Sequence, residues 1–210
     1  MYDRKYKYEN LERFSPNTYG EYNIPVIEPT NAVYTDFIGF NYAKTEKNKG
    51  DKAVHFFLDD YQFSRVWAYP DTYIQMLKQF SCVLSPDFSL YTDFPVAMQI
   101  YNHYRKHWLA AYWQHHGITV IPTICWSDER SFNWCFDGEP VGSTVAVSSV
   151  GTQNDKQVKE AFMLGYNAML DRLRPETIIF YGNVPDECRG RIVRIKQFTQ
   201  KFKEAKISDY

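Results

Sequence analysis

A chain of 210 residues, 44% hydrophobic and 23% charged, is sized and composed for one hydrophobic core, which excludes disorder as its dominant state. A net charge of −1 excludes a uniformly basic polyanion binder, and no run approaches the roughly 18 apolar residues of a membrane span. Aromatic residues are the outlier, with 17 Tyr, 15 Phe and 5 Trp, and such rings suit both cores and binding surfaces.

In chain order, residues 1–34 read as an irregular arm, rich in Tyr, Asn and charge and punctuated by Pro16, Gly20, Pro25 and Pro29. Phe37 to Tyr42 alternates weakly, as a strand can, and Lys44 to Lys52 is a charged surface turn. A rhythm of short apolar runs and helical periodicities then fills the core, 35–188. The runs Ala53–Leu58, Ser81–Leu84, Ile118–Ile121, Thr144–Val147 and Thr177–Tyr181 have strand length. Between them lie four expected helices. Tyr73, Met76, Leu77 and Phe80 mark the first, and Asp93 to His116, closed by Gly117, is the second. Ser127 to Phe136 is a third and short one. The last opens with capping-box spacing at Asn154 and Gln157 and runs to Leu173 before Pro175.

Five apolar runs separated by helices predict an α/β protein with a mainly parallel sheet. The pattern fits either an open sheet or a partial (β/α) barrel, and the missing first-turn phosphate fingerprint leans to the barrel. Beyond it, 189–210 is expected to be a basic amphipathic helix. Ile192, Ile195, Phe198 and Phe202 would face the core, with Arg194, Lys201 and Lys203 outward. From Arg189 onward seven basic residues face two acidic ones, so this tail is the candidate nucleic-acid contact.

Ligands of such folds sit at the carboxyl ends of the strands. Those ends carry Asp59-Asp60, then Ser85-Pro86-Asp87, then Trp126-Ser127-Asp128-Glu129-Arg130, then Ser148-Ser149. Converging carboxylates can hold a hard cation such as Mg²⁺ or divide into a proton donor and an acceptor. Asp59, Asp87, Asp128 and Glu129 are therefore the catalytic candidates, with Asp59 and Asp87 the metal ligands if there is one. Arg130, Ser85, Trp126 and Ser149 are the substrate-binding candidates, and Arg130 should lie near Asp87. Each acid also has a plainer use as a helix cap or turn former.

His103 and His107, spaced i, i+4, can chelate zinc, but the segment HYRKH lacks the glutamate of a zinc protease. Both fall at the edge of an apolar face, and apolar residues on the opposite side mean that this helix is either covered on both sides or forms an interface. Cys125 has no evident His or Asn partner. No phosphate-binding loop, dinucleotide fingerprint or nucleophile elbow is present.

Three segments, LSPDFSLYTDFPVAMQIYNHYRKHW (Leu84 to Trp108), WSDERSFNWCFDGEPVGSTVAVSSVG (Trp126 to Gly151) and RLRPETIIFYG (Arg172 to Gly182), resemble a family of phage, plasmid and integrated-element proteins of Gram-positive bacteria. That family is known only as a domain of unknown function. The likeness spans about Asn23 to Tyr181, implies a mobile-element origin, and transfers no catalytic residue. With four unpaired cysteines and no signal pattern, the expected place is the cytoplasm of a bacterial host.

Two functions compete. One is an enzyme, such as a metal-dependent hydrolase, whose rim of carboxylates acts on a nucleotide or other phosphorylated substrate. The other is a binding protein that engages a host or phage protein, as an inhibitor of host defence would, or nucleic acid. Acids clustered at strand ends favour the enzyme, since a pure binder does not need them.

Overall fold

The computed structural model describes residues 9–152 and 155–195. The arm is not wholly irregular: β1 (Thr18–Tyr19) and β2 (Ile24–Pro25) pair antiparallel. Gly20 makes the turn between them with φ 79°, a conformation that costs glycine little.

All five expected strands form, the first three in shorter spans, and all are parallel. β3 (Phe37–Gly39), β4 (Ala53–His55), β5 (Cys82–Leu84) and β6 (Val120–Ile121) make one ladder in chain order. β7 (Thr144–Ser148), β8 (Thr177–Tyr181) and β9 (Ile192–Ile195) make a second. Just past β6 the two are stitched together. The Ala146 N–H donates to the Pro122 carbonyl and the Ile124 N–H to the Ala146 carbonyl, both at 2.8 Å.

Between the strands run α1 (Phe40–Ala43), α2 (Arg65–Ala68), α3 (Pro70–Leu77), α4 (Val96–His115) and α5 (Lys156–Leu173). The short helix expected from Ser127 is a 3₁₀ turn, Glu129–Asn133. The cap of α5 is Asp155, whose carboxylate accepts from the Gln157 and Val158 N–H groups; Asn154 lies outside the described residues. None of the described helices is long and apolar enough to cross a membrane.

One correction concerns the tail. Ile192–Ile195, expected to begin a helix, is the strand β9. The run IVRI is β-branched at three of four positions, which favours extended backbone, and β8 offers it an unpaired edge. The remainder of the expected helix, with Lys201 and Lys203, lies outside the described residues. Ile195 still turns inward, while Arg194 is exposed.

The side chains show how the sheet is shaped. Val54, Val83 and Val120 point outward under α3 and α4, into a core with Leu77, Trp108, Leu109 and Trp113. Val145, Val147, Ile178 and Phe180 point outward under α5, against Phe162, Tyr166 and Met169. The opposite faces of the same strands meet one another: Phe37, Ala53, Cys82, Leu84, Ile121, Ala146, Ile179 and Ile195, with Tyr181 and the loop residues Phe57 and Tyr34, form one cluster that includes no helix residue. A flat sheet would hold β4 and β8 about 19 Å apart, at about 4.8 Å per strand. Yet the His55 and Phe57 rings lie 5.0 and 4.8 Å from that of Tyr181. The sheet is therefore rolled, barrel-like but open, since β3 and β9 share no ladder.

Helix α4 is covered on both sides, as its two apolar faces require. Trp113 packs towards the sheet, and the N-terminal arm lies over the other side. There Trp108 Nε1 donates to the Phe14 carbonyl, and Gln114 exchanges two hydrogen bonds with the Glu28 backbone.

Candidate functional site

Parallel strands deliver all their carboxyl ends to one rim, and there a forked cleft opens. One arm, of about 420 Å³, is lined by Asp87, Tyr91, Cys125, Trp126 and Phe162. The other, of about 610 Å³, shares Asp87, Tyr91, Cys125 and Trp126 and adds Phe57, Asp59 and Tyr181. Each arm alone suits a small molecule.

Asp87 stands at the fork. Its loop is tied down on three sides. Phe88 is buried beneath the Arg105 guanidinium, 3.7 Å from the ring centre. Ser89 gives its hydroxyl to Asp60 at 2.8 Å, and Asn102 and Gln99 of α4 donate to the carbonyls of Ser89 and Tyr91. Loss of water raises the Asp87 carboxyl to about 7, with Asp60 adding to the rise and Lys106 and a hydrogen bond from Cys125 opposing it.

Behind Cys125 lies an ammonium that sequence reasoning missed. Lys106 of α4 is 1% exposed, donates to the Thr123 carbonyl at 2.9 Å and to Glu139 Oε1 at 2.7 Å, and stands 3.9 Å from Cys125 Sγ. Burial opposes its charge, but the ionised Glu139 beside it helps to hold it above the ordinary lysine value. Glu139 answers it: burial would raise its carboxyl, yet Lys106 and His107 hold it below the ordinary value. Burial also pushes the Cys125 thiol up to about 12, so it is a neutral hydrogen-bond donor and not a thiolate nucleophile. One signal for Lys106 was present. It sits on the stripe Asn102, Lys106, Leu109, Trp113, where a lysine faces the core and requires a buried acid.

The other candidates divide. Asp59 is exposed at the mouth, lines the second arm with Asp87, and precedes the 3₁₀ turn Asp60–Gln62 without a side-chain capping hydrogen bond. Trp126 lines both arms. Its indole lies on α5 above Gly165, where an added Cβ would sit 2.1 Å from Nε1, and its ring centre is 5.4 Å from that of Phe162. Ser85 is buried away from the cleft; its hydroxyl accepts the Thr123 N–H at 2.7 Å and locks β5 to β6. Ser149 is buried too and donates to the Asn183 carbonyl.

Asp128, Glu129 and Arg130 do not line the cleft. Asp128 caps the 3₁₀ turn and grips Arg130 at 3.0 and 2.5 Å, and that hydrogen bond holds its carboxyl below the ordinary value. Arg130 is largely exposed, as is Glu129.

A rolled, all-parallel α/β sheet with a ring-lined cleft at its carboxyl rim is a barrel-like architecture with an opening where such folds carry their ligand sites. Within that class, the chain belongs to the family described as a domain of unknown function (DUF4417), which it matches over residues 17–199. It is 43% identical over 167 residues to the Gene 1 protein of Mycobacterium phage L5, covering 78% of this chain and 72% of that one. To the Gene 1 protein of Mycobacterium phage D29 it is 38% identical over 182 residues, covering 86% and 67%. Both relatives are phage proteins, in keeping with the bacteriophage resemblance read from the sequence. No solved structure matches the chain.

Proposed function

We propose that this chain is a phage accessory enzyme in which Asp87 gives and takes a proton on a small substrate bearing an uncharged planar ring, as a nucleoside does. The observation that carries this reading is the position of Asp87. It is the carboxyl at the fork of a cleft walled by Tyr91, Trp126, Phe57 and Tyr181, on a loop that its hydrogen bonds hold still. A carboxyl near 7 is matched to proton transfer at neutral pH, and flat rings accept other flat rings. A phosphorylated substrate has less support, because no Lys or Arg is among the described residues that line either arm.

Thermal-shift and calorimetric titration of the full chain with nucleosides, free bases and the matching nucleotides tests the reading. Expected is binding of an uncharged member, weakened by Trp126→Ala and unchanged by Arg130→Ala. Binding of nucleotides alone, lost with Arg130→Ala, would restore the phosphate reading. Binding of none of the panel, with Asp87 titrating at its ordinary value, would remove the enzyme reading in favour of a protein or nucleic-acid binder.

A further inference from the structure

A second buried cluster lies apart from the cleft, and its protons can be counted. His103 and His107 of α4 are 1% and 0% exposed, with ring centres 4.2 Å apart. Glu139, from the segment before β7, reaches them with a fully buried carboxylate. His103 Nε2 lies 3.1 Å from the Asp137 carbonyl, which can only accept, so Nε2 carries the hydrogen and Nδ1 is a bare lone pair. That Nδ1 is buried and has no hydrogen-bond partner. His107 Nδ1 is likewise committed as donor to the Pro25 carbonyl at 2.8 Å, so in the neutral ring Nε2 is also a lone pair. Yet His107 Nε2 faces Glu139 Oε1 at 2.9 Å, acceptor against acceptor. Glu139 Oε2, the oxygen that Lys106 does not use, is buried without a partner.

Three acceptors thus converge, one ligand atom from each residue lying within 4.8 Å of the others. What the arrangement lacks is a positive centre that accepts lone pairs. Its outer contacts have the matching form. Ligating histidines usually donate their second N–H to a backbone carbonyl or carboxylate, and ligating carboxylates are themselves hydrogen-bonded. Here the Asp137 and Pro25 carbonyls take the two imidazole hydrogens, and Lys106 holds the other carboxylate oxygen.

We infer that His103 Nδ1, His107 Nε2 and Glu139 form a site for one divalent metal of the zinc class. Two imidazoles and a carboxylate are a zinc donor set, with a fourth position for water. Bonds of about 2.1 Å place the ligand atoms roughly 3.4 Å apart, so small side-chain rotations close the site. A cleft of about 390 Å³ lined by Asp137, Gly138 and Glu139 opens beside the cluster. None of the three ligands lines the Asp87 cleft. The metal would fasten the 137–139 turn and the arm at Pro25 onto α4, a structural role independent of the proposed activity.

The full chain, purified without a metal-affinity tag, is assayed for bound metal by mass spectrometry, stripped with chelator, and titrated with Zn²⁺. Expected are one zinc per chain, a melting temperature that falls on stripping and recovers with Zn²⁺, and affinity at least about 100-fold weaker in His103→Gln, beyond the loss typical of an outer-shell partner. Replacing Zn²⁺ by Co²⁺ in the unaltered chain should give the visible bands of a nitrogen- and oxygen-ligated ion, which keeps the test decisive if the variant does not fold. Only substoichiometric metal with no Zn²⁺-dependent melting, or zinc held equally by His103→Gln, would overturn the site and leave a water between the three acceptors.

Discussion

The surroundings of Asp87 raise its carboxyl to about 7, and Asp87→Asn is the substitution that separates what this carboxyl does for chemistry from what it does for the fold. In the folded chain its pKa lies at about 7 against an ordinary 3.8, so between these values the folded state binds a proton that the unfolded state has released. Stability must then fall as pH rises through that window, because the carboxylate ionises more readily when unfolded. At about 1.4 kcal/mol per pH unit the ceiling is about 4 kcal/mol. Relaxation of the cleft and entering water reduce this, and about 1–3 kcal/mol is expected. Asparagine has nearly the same shape and no charge to bury, so Asp87→Asn should be more stable than the unaltered chain at pH 8 and nearly equal to it at pH 4. Urea denaturation of both proteins at intervals from pH 4 to pH 8 measures the difference. A variant less stable at pH 8, or a difference that does not change with pH, refutes the raised carboxyl assigned to the half-buried Asp87. Any activity found should be lost in the same variant, a gain in stability at the expense of function.

Gly165→Ala would improve the intrinsic helix propensity of α5 by about 1 kcal/mol, yet its Cβ would meet the Trp126 indole at 2.1 Å. It should destabilise the chain by about 1–3 kcal/mol and weaken binding in the cleft; a melting temperature at or above that of the unaltered chain argues against the observed indole position. Lys106→Met leaves the Glu139 carboxylate buried without its ammonium, and should cost about 3–5 kcal/mol in urea denaturation at pH 7. A loss under about 1 kcal/mol would mean that the pair is solvated. Burial pushes Cys82 and Cys125 to about 12 and Cys188 to about 11, and raises Cys135 as well. At pH 8 the native chain should therefore react slowly with a disulfide reagent and release all four thiols only when unfolded; a fast native thiol would contradict the neutral state assigned to these cysteines.

Much of the frame was legible locally. The runs around Val54, Val83, Val120, Val145 and Ile178 are apolar on both faces because parallel strands are buried on both faces, and the punctuation at Gly117 and Pro175 ends the helices they follow. The address of the site was legible as well, since parallel strands bring Asp59 and Asp87 to one rim whatever the sheet's curvature. Other features rest on contacts that no window of sequence contains. IVRI at Ile192–Ile195 has a spacing that suits a helix, and only the open edge of β8, with backbone groups to pair, makes it a strand. Arg130 is two residues from Asp128, and that short reach keeps its guanidinium on Asp128. Lys106 and Glu139 lie 33 residues apart, and each is tolerable in the core only because the fold brings the other to it. The rolling of the sheet, which sets Phe57 against Tyr181 and so shapes the cleft, is likewise a property of the packed whole. Periodicity records which side of an element meets apolar surroundings, but not which distant element supplies them or which charge it carries.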